Sequence, residues 1–323
     1  MELVGNENKT ERILTIYRML TNGEVVNKQK AADRFGVNVR SIQRDIEDIR
    51  AHLANAPENA GRNISIVYDR KRKGFRMKGG VRKMTGGEFL AVCKVLLESR
   101  AFIKEELDSL LEKLLDNCAP PSERKSAAEL ILNERFHYIE PHHHTPVVDK
   151  LWELGSAMRS HQNVKLWYEK LKADQPVMRI VKPVGIMFSE YYFYLIAFIE
   201  KGEEEAEYLS PAIYRIDRIH SFHVLDSHFS VPYKDRFEEG EFRKRVQFMF
   251  GGRLQRIVFE YSGLSIEAVL DRLPTAEVVD EQDSADGKKK IYTIRAEVFG
   301  DGIDMWLRAQ GENVRMLRRK YID

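Results

Sequence analysis

The first quarter of the chain carries apolar residues at helical spacing, interrupted by short polar breaks. Over residues 42–53 the apolar positions recur at i, i+4, i+7 and i+11, which places them on one face of an α-helix. The break at residues 36–38 ends with Asn38, a residue type that caps helix N-termini. An earlier amphipathic stretch over residues 13–20 stops at Asn22-Gly23. The pattern therefore predicts three packed helices, two of them joined by a tight turn.

A β-hairpin pattern follows over residues 64–77, and its turn holds four consecutive basic residues ahead of Gly74. In helix-turn-helix proteins the polar residues at the start of the second helix contact base edges in the major groove. The helices and the basic wing together predict that the partner is double-stranded DNA with an operator sequence that the protein recognises. The candidate DNA-contacting residues are Lys28, Asn38, Arg40, Ser41, Gln43, Arg44, Arg70, Lys71, Arg72 and Lys73.

Charge supports this prediction only when it is counted by segment. Residues 1–83 hold 18 Lys and Arg against 10 Asp and Glu, whereas the remainder holds 34 against 40, so a net charge of +8 stands beside one of −6. A basic head on an acidic body favours binding of a polyanion at one end. The alternative is an ordinary helical hairpin with a solvated basic turn.

Residues 85–134 are helical in pattern throughout, with a break at Pro120-Pro121. Apolar stripes on helices between domains must be buried against the chain itself or against a second copy. We expect a homodimer, because a dimer reads two half-sites; an intrachain helical linker is the alternative. The stripes comprise Phe89, Val92, Val95, Leu96, Leu107, Leu110, Leu111, Leu114 and Leu115.

Beyond one more helix over residues 147–160, the apolar period changes from 3.6 to 2. Strand patterns at 163–171, 177–189, 191–200 and 212–226 predict a small antiparallel β-barrel. Between residues 254 and 317 the order of patterns is strand, helix, strand, strand, helix, strand, with a turn at 285–287. That succession is typical of a ferredoxin-like βαββαβ domain.

The predicted fold class is therefore multidomain α+β. Residues 1–83 form a winged helix-turn-helix and 84–140 a helical linker or dimerisation region. Residues 141–230 form a small Sm-like or SH3-like β-barrel, and 240–323 a ferredoxin-like domain.

Composition narrows the function classes. The chain starts without a signal-peptide pattern and has no apolar run of about 18 residues, so we expect a cytoplasmic protein with no membrane partner. Cys93 and Cys118 lack metal-binding spacing and are expected to be buried thiols. No nucleophile, phosphate-loop or zinc-protease motif occurs, which leaves an enzyme unsupported: we expect no catalytic residues, cofactor or metal.

One histidine cluster is a candidate metal site. Three consecutive histidines, 142–144, lie near His137 and Glu140 between two prolines. Zinc ligands need fixed spacing on rigid elements, and adjacent residues do not easily converge on one ion. We therefore expect a flexible, solvated linker here.

The barrel segment resembles the WYL domain, named for a Trp-Tyr-Leu triplet that stands here as Phe193-Tyr194-Leu195. Tyr168, the stretch 179–183 (Arg-Ile-Val-Lys-Pro) and the stretch 214–219 (Tyr-Arg-Ile-Asp-Arg-Ile) match the surrounding family pattern. The head resembles a DeoR-type winged helix-turn-helix through VNVRSIQRDIEDI at 37–49, and the C-terminal unit is similar to the extension that follows WYL domains. Phe193 replaces the tryptophan, which keeps an aromatic face but loses the indole N–H.

The resemblance implies a transcriptional regulator whose WYL domain senses a ligand, such as an oligonucleotide or single-stranded DNA, and modulates operator binding. It implies a basic and aromatic groove in which guanidiniums contact phosphates and rings stack on bases. The matching ligand-binding residues are Tyr168, Arg179, Lys182, Tyr194, Tyr214, Arg215 and Arg218.

Two alternatives stay open. Strand alternation puts Arg215 and Arg218 on opposite faces, so they share a groove only if the strand twists or bulges between them; otherwise Arg218 pairs with Asp217 or a nearby carboxylate as a structural ion pair. The alternative function is an RNA-binding or protein-interaction module without operator specificity.

Overall fold

The computed structural model describes residues 8–55, 64–79, 84–120, 122–170, 175–200, 211–231, 236–284 and 287–322. The N-terminal residues 1–7 and the first two residues of the turn predicted at 285–287 lie outside these ranges. The chain divides into two compact units, one of Met1–Leu97 with Asp108–His137 and the other of Glu98–Leu107 with Tyr138–Asp323. Among the described helices, none has the length and apolar character needed to cross a membrane.

Three helices open the first unit: α1 (Lys9–Thr21), α2 (Lys28–Phe35) and α3 (Val39–Asn55). The break between α2 and α3 is the one that the sequence predicts. Gly36 ends α2 in the left-handed conformation, with φ 65°, which only glycine adopts without strain. Asn38 then caps α3, because its Oδ1 accepts the Ser41 N–H at 2.9 Å.

The apolar face predicted for α3 is buried: Ile42, Ile46, Ile49 and Leu53 pack with α1 and α2 in one core. An ion pair that the pattern does not predict lies beside this core. Arg12 of α1 donates from Nε and Nη2 to the Asp45 carboxylate of α3 at 2.6 and 3.1 Å, and both side chains are buried.

The predicted hairpin consists of β1 (Ser65–Asp69) and β2 (Gly74–Lys78) in antiparallel register. Val26 adds a bridge to Phe75, with both backbone N–H···O bonds at 2.8 Å. A Cβ at Gly74 would lie 2.5 Å from the side chain of Val25 and 2.9 Å from the carbonyl oxygen of Val26. This close approach explains the glycine and fixes the hairpin against the segment before α2.

Three more helices follow: α4 (Gly86–Ser99), α5 (Lys104–Asn117) and α6 (Arg124–Phe136). The buried row of α4 is Phe89, Cys93 and Leu97, at i, i+4 and i+8. Of the stripe predicted on this helix, Val92 and Val95 are exposed instead. On α5, Leu107 and Leu111 are buried as the stripe predicts.

The second unit contains α7 (Val148–Arg159) and a five-stranded antiparallel sheet in the order β6-β5-β4-β3-β7. Its strands are β3 (Gln162–Tyr168), β4 (Val177–Ser189), β5 (Tyr192–Ile199), β6 (Ala212–Arg215) and β7 (Ile219–His228). The single strand predicted over 212–226 is wrong, because a 3-10 turn at Ile216–Arg218 divides it. Since β6 and β7 are the two edges of the sheet and only three residues separate them, the sheet curls on itself.

A four-stranded antiparallel sheet follows in the order β11-β8-β10-β9. The elements are α8 (Glu239–Arg245), β8 (Leu254–Tyr261), α9 (Ile266–Arg272), β9 (Glu277–Asp283), β10 (Lys290–Phe299), α10 (Gly302–Ala309) and β11 (Val314–Tyr321). From β8 onward the succession is the predicted βαββαβ, whereas α8 is not predicted. Residues Phe259 and Ile294 of the sheet and Val269 and Ile303 of the helices share one buried core.

Candidate nucleic-acid interface and ligand site

The start of α3 presents two exposed cations. Arg40 and Arg44 are exposed, and neither has an ion-pair partner within the described parts of the chain. Asn38 and Ser41 are engaged with each other, since Asn38 Oδ1 accepts from both the N–H and the hydroxyl of Ser41. The arginines are therefore the groups at this end of the helix that are free to meet a polyanion.

Gln43 and Lys28 are less available. Lys28 Nζ donates to Gln43 Oε1 at 3.1 Å, and Gln43 Nε2 donates to Glu47 Oε1 at 2.9 Å. Each end of the Gln43 amide thus has one partner, which orients the amide and leaves one N–H and one lone pair for contact with a base. The assignment of both residues to a DNA surface stays a prediction.

The wing turn holds four exposed basic side chains on an ordered backbone, namely Arg70, Lys71, Arg72 and Lys73. The Asp69 carboxylate orders this turn by accepting the backbone N–H groups of Lys71 and Arg72 at 3.0 and 3.1 Å. The bond from the Arg72 N–H is the main cause that lowers the pKa of Asp69. The carboxylate of Asp69 thus stabilises the backbone of the turn, and the four basic side chains remain exposed around it.

Two side chains tie the wing to the helices within this unit. Asn27 caps α2 by accepting the Lys30 N–H at 3.1 Å and donates to the carbonyl of Lys73 at 2.7 Å. Arg50 of α3 donates from Nε and Nη2 to the carbonyl of Ile66 at 3.1 and 2.9 Å. The sequence analysis missed both ties. They hold the wing hairpin against α2 and α3, the helices that carry the predicted DNA-contacting residues.

A second candidate site is centred on Arg215, at the end of β6. Its Nε and Nη2 donate to the two carboxylate oxygens of Asp217 at 3.1 and 2.6 Å, and its guanidinium lies 3.3 Å from the ring centroid of Tyr192. The backbone N–H of Arg215 donates to the Tyr168 hydroxyl at 3.3 Å. The alternative in which Arg218 pairs with Asp217 is not what the structure has, because Asp217, in the 3-10 turn, pairs with Arg215.

Aromatic rings surround this arginine. Tyr168 and Tyr214 are in edge contact at 5.1 Å between centroids, and Tyr192 and Tyr194 at 6.5 Å. Burial raises the pKa of Tyr194 to about 12, so its hydroxyl stays a neutral donor at physiological pH. Half-buried rings next to a held guanidinium form a surface on which a planar group can stack.

The structure brings together four of the seven residues predicted for this site, Tyr168, Tyr194, Tyr214 and Arg215. Arg179 donates to the carbonyl of Met178 at 2.8 Å and, in the described part of the chain, has no hydrogen bond or ion pair with the cluster. Lys182 lies on the other face of β4 from Arg179 and pairs in register with Phe198 of β5, four positions along that strand from Tyr194. The role of these residues and of Arg218 in ligand binding stays a prediction.

Sequence reasoning missed Tyr192, Asp217 and His143 as members of the cluster. Tyr192 lies two positions before Tyr194 on the same strand, so period-2 alternation alone places both on one face. His143 reaches the cluster from the segment before α7: its ring lies 6.1 Å from that of Tyr192, and burial lowers its pKa. No local signal predicts this long-range contact.

The histidine segment differs from the solvated linker that the sequence predicts. Glu140 accepts the Lys104 N–H at the start of α5 at 2.7 Å, and its other oxygen lies 2.5 Å from His144 Nδ1. The Lys104 bond is the main cause that lowers the pKa of Glu140. Within the described residues, no group of three or more His, Cys, Asp or Glu side chains is arranged to hold a metal ion.

The same unit also contains a cavity of about 590 Å³, a volume typical of small-molecule sites. Met158, Pro183 and Phe229 supply apolar lining, together with side chains of both charges. Glu239, one of its acids, already accepts the Ile186 N–H at 2.9 Å. The lining favours no single class of ligand.

Comparison with known proteins gives one family match, to the model described as the WYL domain, over residues 149–224. No curated protein matches the chain. Among solved structures, proteasome accessory factor B/C (PafBC) of Arthrobacter aurescens is similar at 15% identity, with 95% of this chain and 44% of that one covered and a TM-score of 0.28. A CRISPR Cas-related protein is similar at 12% identity, with 97% and 87% covered and a TM-score of 0.33. The chain thus spans less than half the length of the first of these structures. Residues 149–224, which hold α7, the strands β3 to β6 and the first part of β7, form a WYL domain.

Proposed function

We propose that this protein is a sequence-specific DNA-binding transcription regulator whose WYL domain takes up a ligand and thereby changes the affinity for an operator. The observation that carries the proposal is the surface of the first unit. Arg40 and Arg44 project unpaired from α3 within the described residues, and four wing cations lie on a hairpin that Asn27 and Arg50 tie to the same helices.

In this proposal the N-terminal turn of α3 enters the major groove, where Arg40 and Arg44 meet guanine edges or phosphates. The wing cations neutralise backbone phosphates beside it, which contributes affinity without reading sequence. Asn38 caps the start of α3, and the close packing at Gly74 fixes the hairpin. Both elements therefore need little rearrangement to bind DNA. The winged arrangement also favours duplex DNA over single-stranded RNA, which needs splayed bases rather than a groove-reading helix.

The Arg215 cluster supports a ligand with a planar ring, and we propose a nucleotide or short single-stranded nucleic acid. Tyr192 and Tyr194 offer ring faces and edges, and the guanidinium of Arg215 is held rigidly over one of them. The Arg215 guanidinium already donates two hydrogen bonds to the carboxylate of Asp217. In this proposal, stacking on the rings therefore supplies most of the attraction for the ligand, and contact between Arg215 and a phosphate is secondary. Around it we propose an Sm-like barrel, followed by a ferredoxin-like extension.

We further propose that the regulator acts as a homodimer through α4 and α6. Val95, Leu130 and Phe136 are exposed by 70%, 60% and 77%, and all lie on these two helices of the first unit. Exposed apolar side chains on neighbouring helices, which the Lys94–Glu134 ion pair joins, favour burial against an identical surface. Sedimentation that shows only monomer at micromolar concentration contradicts this part of the proposal.

DNA binding is tested by footprinting on the DNA that flanks the gene. The Arg40→Ala, Arg44→Ala variant is expected to lose the footprint, whereas Arg308→Ala, Arg318→Ala, which removes the same charge from exposed positions of the C-terminal sheet domain, is expected to keep it. Equal footprints for both variants exclude α3 as the reading helix.

Ligand binding is tested separately by titrating short single-stranded DNA into the wild type and into Tyr192→Ala and Arg179→Ala variants. We expect Tyr192→Ala to weaken binding by about 5- to 150-fold, because a lost base stack costs about 1–3 kcal/mol. Arg179→Ala tests whether this residue shares the groove. Equal and weak binding by all three proteins removes nucleic acid as the signal.

A further inference from the structure

A small pocket of about 150 Å³ lies in the second unit, where the end of β4, the segment after α8 and the end of α9 meet. Its polar lining consists of four side chains, all of them hydrogen-bond donors: Ser189, Arg243, Gln247 and Arg272. The remaining lining is apolar, with Met187, Val246 and Met249 among it. The residues of the Arg215 cluster do not line this pocket, so it is a separate cavity.

Gln247 is the unusual member of this lining. The residue is only 4% exposed, and no hydrogen bond of its side-chain amide is found within the described residues, but its amide atoms are not among the fully buried atoms that lack a partner. An amide on a nearly buried residue that has no protein partner and lines a cavity can bond only to what occupies that cavity. Because Gln247 contributes to the pocket wall, a bound molecule is the partner that the position can receive.

The backbone that carries Gln247 is held firmly. Its carbonyl oxygen accepts the Phe250 N–H at 3.1 Å, and a Cβ added to Gly302 would lie 2.1 Å from that oxygen, so the loop packs directly on the start of α10. Phe248 and Met249 have φ values of 51° and 56°, a left-handed conformation that is costly for such side chains. A strained and tightly packed loop keeps the amide in its position.

Arg272 contributes a positive charge that Glu190 neutralises only weakly. Its guanidinium lies 4.5 Å from the ring centroid of Phe248, and both Nη atoms are 3.4 Å from Glu190, beyond the 2.7–2.9 Å that is usual for charge-assisted bonds. Its Nε is buried and has no hydrogen-bond partner among the residues that the structure describes. Arg243 commits one Nη to the carbonyl of Phe188 at 3.0 Å, which leaves its other donors available.

We propose that this pocket binds a phosphate group, either as the free ion or as the terminal group of an ester. Two arginines line the pocket, no carboxylate stands among its described lining, and of the two arginines Glu190 contacts only Arg272, so the charge favours an anion; an amide and a hydroxyl add neutral donors. Its volume equals that of about five water molecules, which is large enough for one phosphate group. The inference does not depend on the proposed function, because it needs neither DNA binding nor the Arg215 cluster.

Calorimetric titration of the full-length protein tests the proposal, with inorganic phosphate as one ligand and adenosine monophosphate against adenosine as the pair that detects an esterified phosphate. Binding of phosphate supports the free ion, and binding of the monophosphate alone, without binding of adenosine, supports an ester. We expect Arg272→Gln and Gln247→Leu each to weaken that binding at least tenfold. Arg318→Gln, which removes an equal charge from an exposed position on β11, serves as the matched control and is expected to change nothing.

A thermal readout guards against a simple folding defect. Replacing an unpaired buried amide with leucine of similar size leaves the melting temperature of the phosphate-free protein unchanged or raises it. In the wild type, phosphate raises the melting temperature, and in Gln247→Leu it does not. The proposal is overturned if neither phosphate nor the monophosphate binds, or if both variants bind as the wild type does.

Discussion

Removing Arg12 is expected to destabilise the first unit far more than removing any exposed cation. The Arg12 guanidinium binds the Asp45 carboxylate through two hydrogen bonds, and the exposed fractions of the two residues are 7% and 1%. In Arg12→Met the carboxylate keeps its buried place but loses this partner. The expected loss is about 3–5 kcal/mol in the free energy of unfolding, the usual effect of breaking a buried pair from one side.

The chain offers a matched control on the same two helices. Lys9 and Asp48 form an ion pair at 3.0 Å between α1 and α3, but their side chains are exposed by 63% and 52%. Lys9→Met removes an equal charge, and because water screens this pair the expected loss is below about 1 kcal/mol. The double variant Arg12→Met, Asp45→Leu removes both buried charges and is expected to recover most of the stability.

Hydrogen exchange of the amides in α1 and α3 measures the effect where it occurs, because the tryptophans of the chain, at 152, 167 and 306, all lie outside this unit. A loss of about 3–5 kcal/mol accelerates exchange through the open state by roughly 10²- to 5 × 10³-fold in Arg12→Met. The reasoning is refuted if Arg12→Met and Lys9→Met exchange at the same rate, or if the double variant is less stable than Arg12→Met.

Three further outcomes follow from individual sites. Gly74→Ala is expected to cost about 1–3 kcal/mol and to displace the wing, because the added methyl group would meet Val25 at 2.5 Å; a calorimetric melt checks the cost, and an unchanged melt contradicts it. Since the pKa of Asp69 is lower in the folded protein, its stabilisation of the wing turn is complete above its ordinary pKa and is lost as the pH falls through the lower folded value. Amide resonances of the wing in an NMR titration follow this loss, and resonances that do not move over that interval oppose it. Cys118 is expected to react with a thiol reagent well before Cys93, whose thiol is fully buried and whose pKa burial raises to about 11; equal rates in the native protein disagree with this burial.

The elements of the first unit were predictable because their signals are local. Each signal acts within one or two turns of helix: Gly36 ends α2, Asn38 accepts the N–H of the residue three positions later, and the apolar residues of α3 recur at helical spacing. The Arg12–Asp45 pair was not predictable in the same way. Asp45 stands among polar residues of an amphipathic helix, and only the packing of α1 across it decides that it is buried.

In the WYL domain the strand over 212–226 was predicted as continuous because residues 216–218, Ile-Asp-Arg, include neither glycine nor proline. The turn arises from the closing of the sheet, which is a long-range constraint. The same turn determines which arginine Asp217 pairs with. In the structure Asp217 pairs with Arg215, whereas strand alternation alone does not settle the partner of Arg218. His143 contacts Tyr192 from the segment before α7, so the apolar pattern of the strands could not predict it.

The central claim is that the helix and wing of the first unit recognise a DNA sequence. It is tested most directly by measuring the affinity of the full-length protein for its own upstream DNA fragment and for a scrambled fragment, at salt concentrations from about 50 to 200 mM. The account predicts that both affinities fall with salt as cations release counterions from phosphates, and that the upstream fragment stays preferred throughout. Equal affinity for the two fragments at every salt concentration contradicts it.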